Sequence, residues 1–385
     1  MKGMKGIAIL GATGSIGSSA LAVLRQHRER FRPVVLTGHR NHAALGDLVR
    51  EWQPDLAVLS EGHVVPVGQP ETEWRTGREA LLEAVARDDV DIVLNALVGA
   101  VGLEPTLAAL KAGKRVALAN KESLVCGGPL VLEAAREGGG ELVPVDSEHS
   151  AILQCIHATS AESVARMVLT ASGGPFRQVP AEELADMRPE DALRHPTWDM
   201  GAKISIDSAT LANKALEVIE AHFLFGIGYD RIQAVVHPQS IVHSMVEFVD
   251  GSVLAQMGFP TMEIPILYAL SHPERLPYRC RTFDPLQAGE LTFEAIRSDD
   301  FPAFELGVGA GRAGGAYPTL FNAANEEAVA AFLGRRIRFG EIASAIGNTL
   351  EAWTGGEVSD VASVLDADRW ARQATQHFID RHALC

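Results

Sequence analysis

Cysteine is scarce in this 385-residue chain, and the four present (Cys126, Cys155, Cys280 and Cys385) form no C-x-x-C pair. That scatter excludes a disulfide framework and a zinc-finger type of site, and it suits a reducing compartment. Lysine and arginine never run beyond two in a row, and the net charge is −15. Nucleic acid and anionic membrane are therefore poor partners, and an anionic ligand must be met by local basic groups. Long apolar runs are missing too. "MKGMKGIAIL" ends in only a short apolar run, Ile7 to Leu10, whereas a secretory signal needs more and a membrane span needs about 20 residues. A cytoplasmic protein is expected.

What is present is ordinary in bulk and specific in detail. Hydrophobic residues make up 47% and charged residues 22%, and the length exceeds one ordinary core, so two or three domains are expected. Up to Asp146 short β-like runs ("IAIL", "PVVLTG", "LAVL", "DIVLNAL", "RVALAN", "ELVPVD") alternate with helical stretches such as "NHAALGDLVREW". Alternation of this kind implies α/β architecture with a parallel, doubly wound sheet and ligands at the carboxyl ends of its strands. Residues 147–271 mix helix with a hairpin, "SIVHSMVEFVDGSVLAQM", turning at Asp250-Gly251. A proline-punctuated connector, 272–299, follows, and 300–385 is helical in pattern.

"IAILGATGSIGSSALAVL" runs from strand through Gly11, Gly14 and Gly17 into a helix, the pattern of a phosphate held on backbone N–H groups. The competing reading is a mere tight connection. An NAD-preferring site should carry an acidic residue near the end of the second strand; here His39-Arg40 stands there, which favours NADP(H), the competing reading of Arg40 being an ordinary solvated loop charge. "ALANKES" places the cation Lys121 at the same sheet edge, where nicotinamide and substrate could meet.

In "VPVDSEHS", extended chain would point Asp146 and Glu148 the same way, with Ser147 opposite. Oxygen-only ligands favour Mg²⁺ or Mn²⁺, although a bare D-x-E is commonly a solvated strand end. "ISIDSATLANKALEVIEAHF" reads as a strand end followed by a helix, with Asn213, Lys214 and Glu217 on one face. Ser208, Asn213 and Lys214 suit a phosphate and Glu217 a third metal ligand; a plain Lys214–Glu217 salt bridge and a capping Ser208 compete. "TASGGPF" can expose Ser172. "LRHPTWDMGAKIS" can be a lid in which Trp198 covers ligand, or a loop whose tryptophan plugs the core. Ser240 and His243, three apart in "HPQSIVHS", decide little alone.

Together these stretches resemble one family, 1-deoxy-D-xylulose 5-phosphate reductoisomerase. The segments that carry the resemblance are "GATGSIG", "NALVGAVGL", "ANKESLV", "PVDSEHSAI", "TASGGPF", "HPTWDMGAKISIDSATLANKALEVIEA", "HPQSIVHSMVEF" and "AYPTLFNAANEEAV", in order along the chain. The resemblance implies an NADPH- and metal-dependent rearrangement and reduction of the sugar phosphate to 2-C-methyl-D-erythritol 4-phosphate, an isoprenoid precursor. It implies a Rossmann-like domain (1–146), a central α+β catalytic domain with a flap (147–271), and a C-terminal α-helical domain (300–385). Asp146, Glu148 and Glu217 correspond to its metal ligands. Ser172, Ser208, Asn213 and Lys214, with His195 nearby, correspond to its phosphate cradle. Lys121 and Ser147 correspond to contacts at the reacting end, with Glu148 and Glu217 also near substrate. Trp198 and Met200 belong to the flap, and Ser240, His243 and Met262 line the pocket. Gly11, Thr13, Gly14, Ser15, Ile16, Gly38, Arg40, Asn120, Glu122 and Gly201 correspond to cofactor contacts. Arg40 departs from the asparagine common in relatives. A homodimer is also implied. Two other readings stay open: a different NADP-dependent dehydrogenase using Cys126 as nucleophile, and a non-catalytic NADP(H)-sensing module.

Overall fold

The computed structural model describes residues 3–62, 71–157, 159–195, 197–198, 200–356 and 358–382. Cys385 lies outside them. The chain forms two compact units, neither contiguous in sequence: Met1–Ser123, Pro129–Ser150 and Thr261–Cys280 make the first, and the remaining segments the second.

The first unit is built on seven strands: β1 (Lys5–Leu10), β2 (Phe31–Gly38), β3 (Leu56–Leu59), β4 (Glu73–Thr76), β5 (Ile92–Asn95), β6 (Arg115–Leu118) and β7 (Glu141–Pro144). Their order is β4-β3-β2-β1-β5-β6-β7, and every adjacent pair is parallel. Parallel strands need crossovers, which here are mostly helices, and burial on both faces explains the unbroken apolar run of β3 and the run Ile92 to Leu94 in β5. The strand order reverses between β1 and β5, so a crevice opens at their carboxyl ends. The doubly wound parallel sheet read from the sequence is present. One strand was not readable there: β4, "EWRT", is an edge strand with no fully buried position, so it carries no apolar run.

The second unit contains a four-stranded sheet of β8 (Val164–Ala171), β9 (Ile232–Val236), β10 (Val242–Phe248) and β11 (Val253–Met257), ordered β11-β10-β8-β9. β10 and β11 form the antiparallel hairpin expected at Asp250-Gly251, with Gly251 at φ +83°. "ISID" is not a strand end. It lies in a helix, Ala202–Ala209, which Leu211 at φ +60° separates from the next helix, Ala212–Phe225. Four residues of alternation fit a short helix as well as a strand, and the buried side of this one (Ser205, Ile206, Asp207, Ala209) follows the helical period. The C-terminal region is helical as expected: Pro302–Ala313, Tyr317–Leu333, Phe339–Ala352 and Val361–His382.

Helix Pro302–Ala313 packs on helix Ala212–Phe225 through glycine. A Cβ on Gly307 would stand 2.5 Å from Ala215 Cβ and 2.6 Å from the buried Phe321 ring, closer than carbon atoms approach. Gly309, two residues on, has nothing within 4 Å. Gly307→Ala should therefore destabilise by about 1–3 kcal/mol, while Gly309→Ala should be neutral or stabilise by about 0.5–1 kcal/mol. Chemical denaturation of the two variants checks this, and equal effects would mean that the helices do not meet at Gly307.

Candidate active site

In the first unit, β1 runs into a turn whose glycines have separate duties. Gly11 sits at φ +80°, and a Cβ there would lie 2.7 Å from the Ala96 carbonyl at the end of β5. A Cβ on Gly17 would meet the carbonyl oxygens of Gly11 and Ala12 at 2.5 Å. The turn is tied to β2: Gly11 N donates to Thr37 Oγ1 (3.0 Å) and Ala12 N to the Thr37 carbonyl (2.8 Å). Helix Ser15–Gln26 then starts at Gly14 with no side-chain cap, and Gly14 and Ser15 are exposed while Thr13 and Ile16 are half-buried. An uncapped, accessible helix start at the sheet's crevice suits an anion. Gly38 ends β2, and beyond it the Arg40 guanidinium binds Glu61 Oε2 at 2.5 and 2.9 Å, holding that carboxyl below its usual range. The pair is exposed, so it costs little to break.

Asn120 stands at the start of the helix that follows β6. It is 1% exposed and caps helix Lys121–Gly138, accepting from Ser123 N at 3.0 Å. Its amide donates to the carbonyls of Leu97 and Gly99, both at 2.9 Å, and to Glu122 at 3.0 Å. Asn120 thus organises the 97–102 turn, and Glu122, also buried, belongs to the same network.

Asp146 and Glu148 do not lie in extended chain. β7 stops at Pro144, and helix Ser147–Cys155 begins at once. Asp146 caps it: Oδ1 accepts from Glu148 N (3.2 Å), and the Asp146 carbonyl accepts from Ser150 N (2.8 Å). Capping outweighs alternation because D-S-E-H offers both a cap and a first-turn acid. The positive partner that two neighbouring carboxylates require is Lys121, whose Nζ is 2.9 Å from Asp146 Oδ2, both side chains nearly buried. Ser147 Oγ donates to Glu148 at 2.5 Å. His149, which sequence reading passed over, brings Nδ1 to 3.0 Å from Asp146 Oδ1; the D-x-x-H spacing at a helix start was its signal. Met262 is half-buried ahead of helix Glu263–Ser271.

In the second unit two groups form. Lys214 pairs with Glu217, to which Asn213 also donates, and Lys214 and Glu217 are 3% and 2% exposed. The plain salt bridge therefore exists, but a buried ion pair adds little stability over apolar packing, which turns attention to chemistry. The other group is Ser172, His195 and the start of the 195–201 stretch. His195 Nδ1 accepts from the backbone N–H of Thr197 (3.2 Å) and Trp198 (2.9 Å), so its proton sits on Nε2, which donates to Ser172 Oγ at 2.9 Å. Gly174 N also donates to Ser172 Oγ (3.2 Å). With both acceptor positions filled, the Ser172 hydroxyl has its proton left to give. Trp198 and Met200 are half-buried, and Gly201 caps the helix bearing Ser208. Ser240 precedes β10 at φ +50°, a strained value for a side-chain-bearing residue, and burial pushes His243 down to about 4. No helix among the described residues is long and apolar enough to cross a membrane.

Family models for 1-deoxy-D-xylulose 5-phosphate reductoisomerase and its C-terminal domains match residues 7–128, 142–225 and 257–374. A relative of that name from Gloeobacter violaceus is 48% identical, covering 98% of this chain and 98% of its own. One from Chlorobium phaeovibrioides is 49% identical, covering 98% and 100%. The chain belongs to the 1-deoxy-D-xylulose 5-phosphate reductoisomerase family. Among solved structures, the reductoisomerase of Zymomonas mobilis in complex with NADPH is 41% identical, with a TM-score of 0.91 over 98% of this chain and 99% of that one. A reductoisomerase in complex with NADPH, fosmidomycin and magnesium is 39% identical, with the same TM-score over 98% of both chains.

For this family member the His195 tautomer has a measurable consequence. Burial lowers the ring below its ordinary value of 6.5, so the neutral form predominates at neutral pH. Its contribution to stability is whole above pH 6.5 and is lost as pH falls toward the lowered value. Side-chain nitrogen NMR should show the Nε2–H tautomer near neutral pH and a midpoint below 6.5. A midpoint above it, or the Nδ1–H form, would contradict the hydrogen bonds at Thr197 and Trp198.

Proposed function

We infer that this chain converts 1-deoxy-D-xylulose 5-phosphate to 2-C-methyl-D-erythritol 4-phosphate, an NADPH- and divalent-metal-dependent isomerisation and reduction in isoprenoid precursor synthesis. The observation that carries the reading is full-length likeness, at 48–49% identity, to relatives named for this enzyme. Solved relatives hold NADPH and magnesium.

The residue roles are proposals. Asp146, Glu148 and Glu217 offer carboxylate oxygen, the donor type that a hard cation such as Mg²⁺ or Mn²⁺ prefers, and lysines beside Asp146 and Glu217 already temper their charge. When bound, the cation supplies Lewis acidity at the substrate's oxygens and NADPH supplies the hydride. Lys121 and Ser147 orient the reacting end. Ser172, Ser208, Asn213 and Lys214 hold the phosphate, and the free Ser172 proton, fixed by His195, points this hydrogen bond toward an acceptor. Trp198 and Met200 exclude water as flap residues. Ser240, His243 and Met262 shape the pocket. The N–H groups from Thr13 to Ile16 receive the pyrophosphate, Gly38 and Arg40 border the adenosine, and Gly201 borders the cofactor. Asn120 and Glu122 border the cofactor as well, and the Asn120 side chain holds the 97–102 turn.

We also propose a three-part division of labour: cofactor binding in 1–146, metal and substrate binding in 147–271 with Lys121 and Asp146 supplied by the first part, and a helical support in 300–385 reached through 272–299. We further propose a homodimer formed through the four-stranded sheet, whose edge strand β11 exposes Val253 (53%) and Leu254 (51%). A cytoplasmic location fits the scattered cysteines, which form no C-x-x-C pair. The thioester alternative is disfavoured by Cys126, which is 5% exposed.

Metal-dependent NADPH consumption with 1-deoxy-D-xylulose 5-phosphate, yielding the branched polyol phosphate, is the expected result. Folded protein that binds NADPH without turnover would favour the sensing module instead. Glu217→Gln should leave NADPH affinity nearly intact and remove most of the metal-dependent rate. Equal loss of both would make Glu217 a structural residue.

A further inference from the structure

Helix Tyr317–Leu333 carries a stripe of polar side chains at three-residue spacing, Thr319, Asn322 and Asn325, each 0% exposed. Buried polar groups cost stability unless they find partners, so each partner is informative. Thr319 Oγ1 donates to the Cys126 carbonyl at 3.1 Å. Asn325 Nδ2 donates to Asp207 Oδ1 at 2.8 Å, joining residues 118 positions apart. A carboxylate only accepts, so it fixes which end of the Asn325 amide faces it.

Asp207 is itself 1% exposed, and its other oxygen pairs with Lys203 Nζ at 2.7 Å. It stands immediately before Ser208. The Asp207 carbonyl accepts from Thr210 Oγ1 (3.2 Å), which in turn accepts from Ala212 N (3.3 Å) across the left-handed Leu211. On its other side Ser208 is closed in by the Ser172–Gly174 turn: a Cβ on Gly174 would lie 2.4 Å from the Ser208 carbonyl. One long-range hydrogen bond thus anchors the short helix whose last turn presents Ser208.

We propose that Asn325, acting through Asp207, is a positioning residue for the phosphate cradle, fixing Ser208 from the C-terminal helical region. This rests on the reading of Ser208 as a phosphate contact. Without the amide, a buried carboxylate is short of a donor and must turn to find one, carrying Ser208 with it. A shift of about 0.5 Å is enough to spoil a prearranged contact.

In the full-length protein, Asn325→Leu should raise the KM for the sugar phosphate and the inhibition constant of inorganic phosphate together, on the order of tenfold. That is the size of a lost hydrogen bond to a charged group. The value of kcat and the NADPH affinity should stay within about threefold, a split that general loosening of the fold would not produce. The exchange Asp207→Asn with Asn325→Asp faces one amide with one carboxylate again and should recover most of the KM loss. A lower melting temperature with unchanged KM and phosphate inhibition would overturn the proposal, as would an exchange variant that folds without recovery. Should Asn325→Leu not fold, the exchange variant carries the test: near-native KM supports the link, and a KM raised tenfold or more refutes it. Ser208→Ala separates the two layers. If it leaves KM and phosphate inhibition unchanged, the phosphate reading itself fails; if it raises both while Asn325→Leu does not, only the positioning role fails.

Discussion

Two lysines buried against carboxylates are the arrangement on which the rest depends. The chain carries a net charge of −15, so no general field draws a phosphate to it. Lys121 against Asp146 and Lys214 against Glu217 place positive charge locally, under cover, in each unit. Each pair serves opposite needs at once. The lysine offsets the charge of the carboxylate beside it, and the carboxylate offsets that of the buried lysine. Removing one member takes an opposite charge away from a group with little access to water, which is costly. The fold around each pair exists to hold it in place: in one unit a capped helix following the last parallel strand, in the other a helix clamped by a glycine contact.

Local pattern made much of this legible. The glycine turn, the alternating strands and the Asp-Gly hairpin are short-range signals, and each appears where the residues call for it. Asn213, Lys214 and Glu217 share a helix face because four-residue spacing allows nothing else once the helix forms. Three things were hidden for identifiable reasons. Strand β4 is an edge strand and has no apolar run to announce it. Asp146 and Glu148 look alternate, yet a cap at Asp146 bends the chain into a helix. "ISID" is too short for its period to tell helix from strand. Asn120 illustrates a subtler limit: nothing in "ANKES" shows that its side chain ties Leu97, Gly99, Ser123 and Glu122 together.

Partners far apart in sequence were the least legible of all. Nothing in "FNAANEEA" announces that Asn325 meets Asp207, nothing near Arg40 announces Glu61, and only coordinates reveal either. Such pairs are set by the packing of whole elements, and a single sequence carries no record of which elements pack. The helical tail, whose pattern shows helices and no chemistry, is where this matters most, because its buried polar stripe has no role in helix formation.

The proton inventory at Ser172 reaches further than the geometry of one hydroxyl. With its lone pairs engaged by His195 and Gly174, this oxygen can recognise only an atom that accepts. A fully ionised phosphate offers acceptors on all three terminal oxygens, whereas below its second pKa, about 6, one of them carries a hydrogen instead. Two acceptors remain even then, so in its proposed role at the phosphate Ser172 reads for acceptor oxygen rather than for charge, and a mimic of the sugar phosphate needs a headgroup that keeps an unprotonated oxygen.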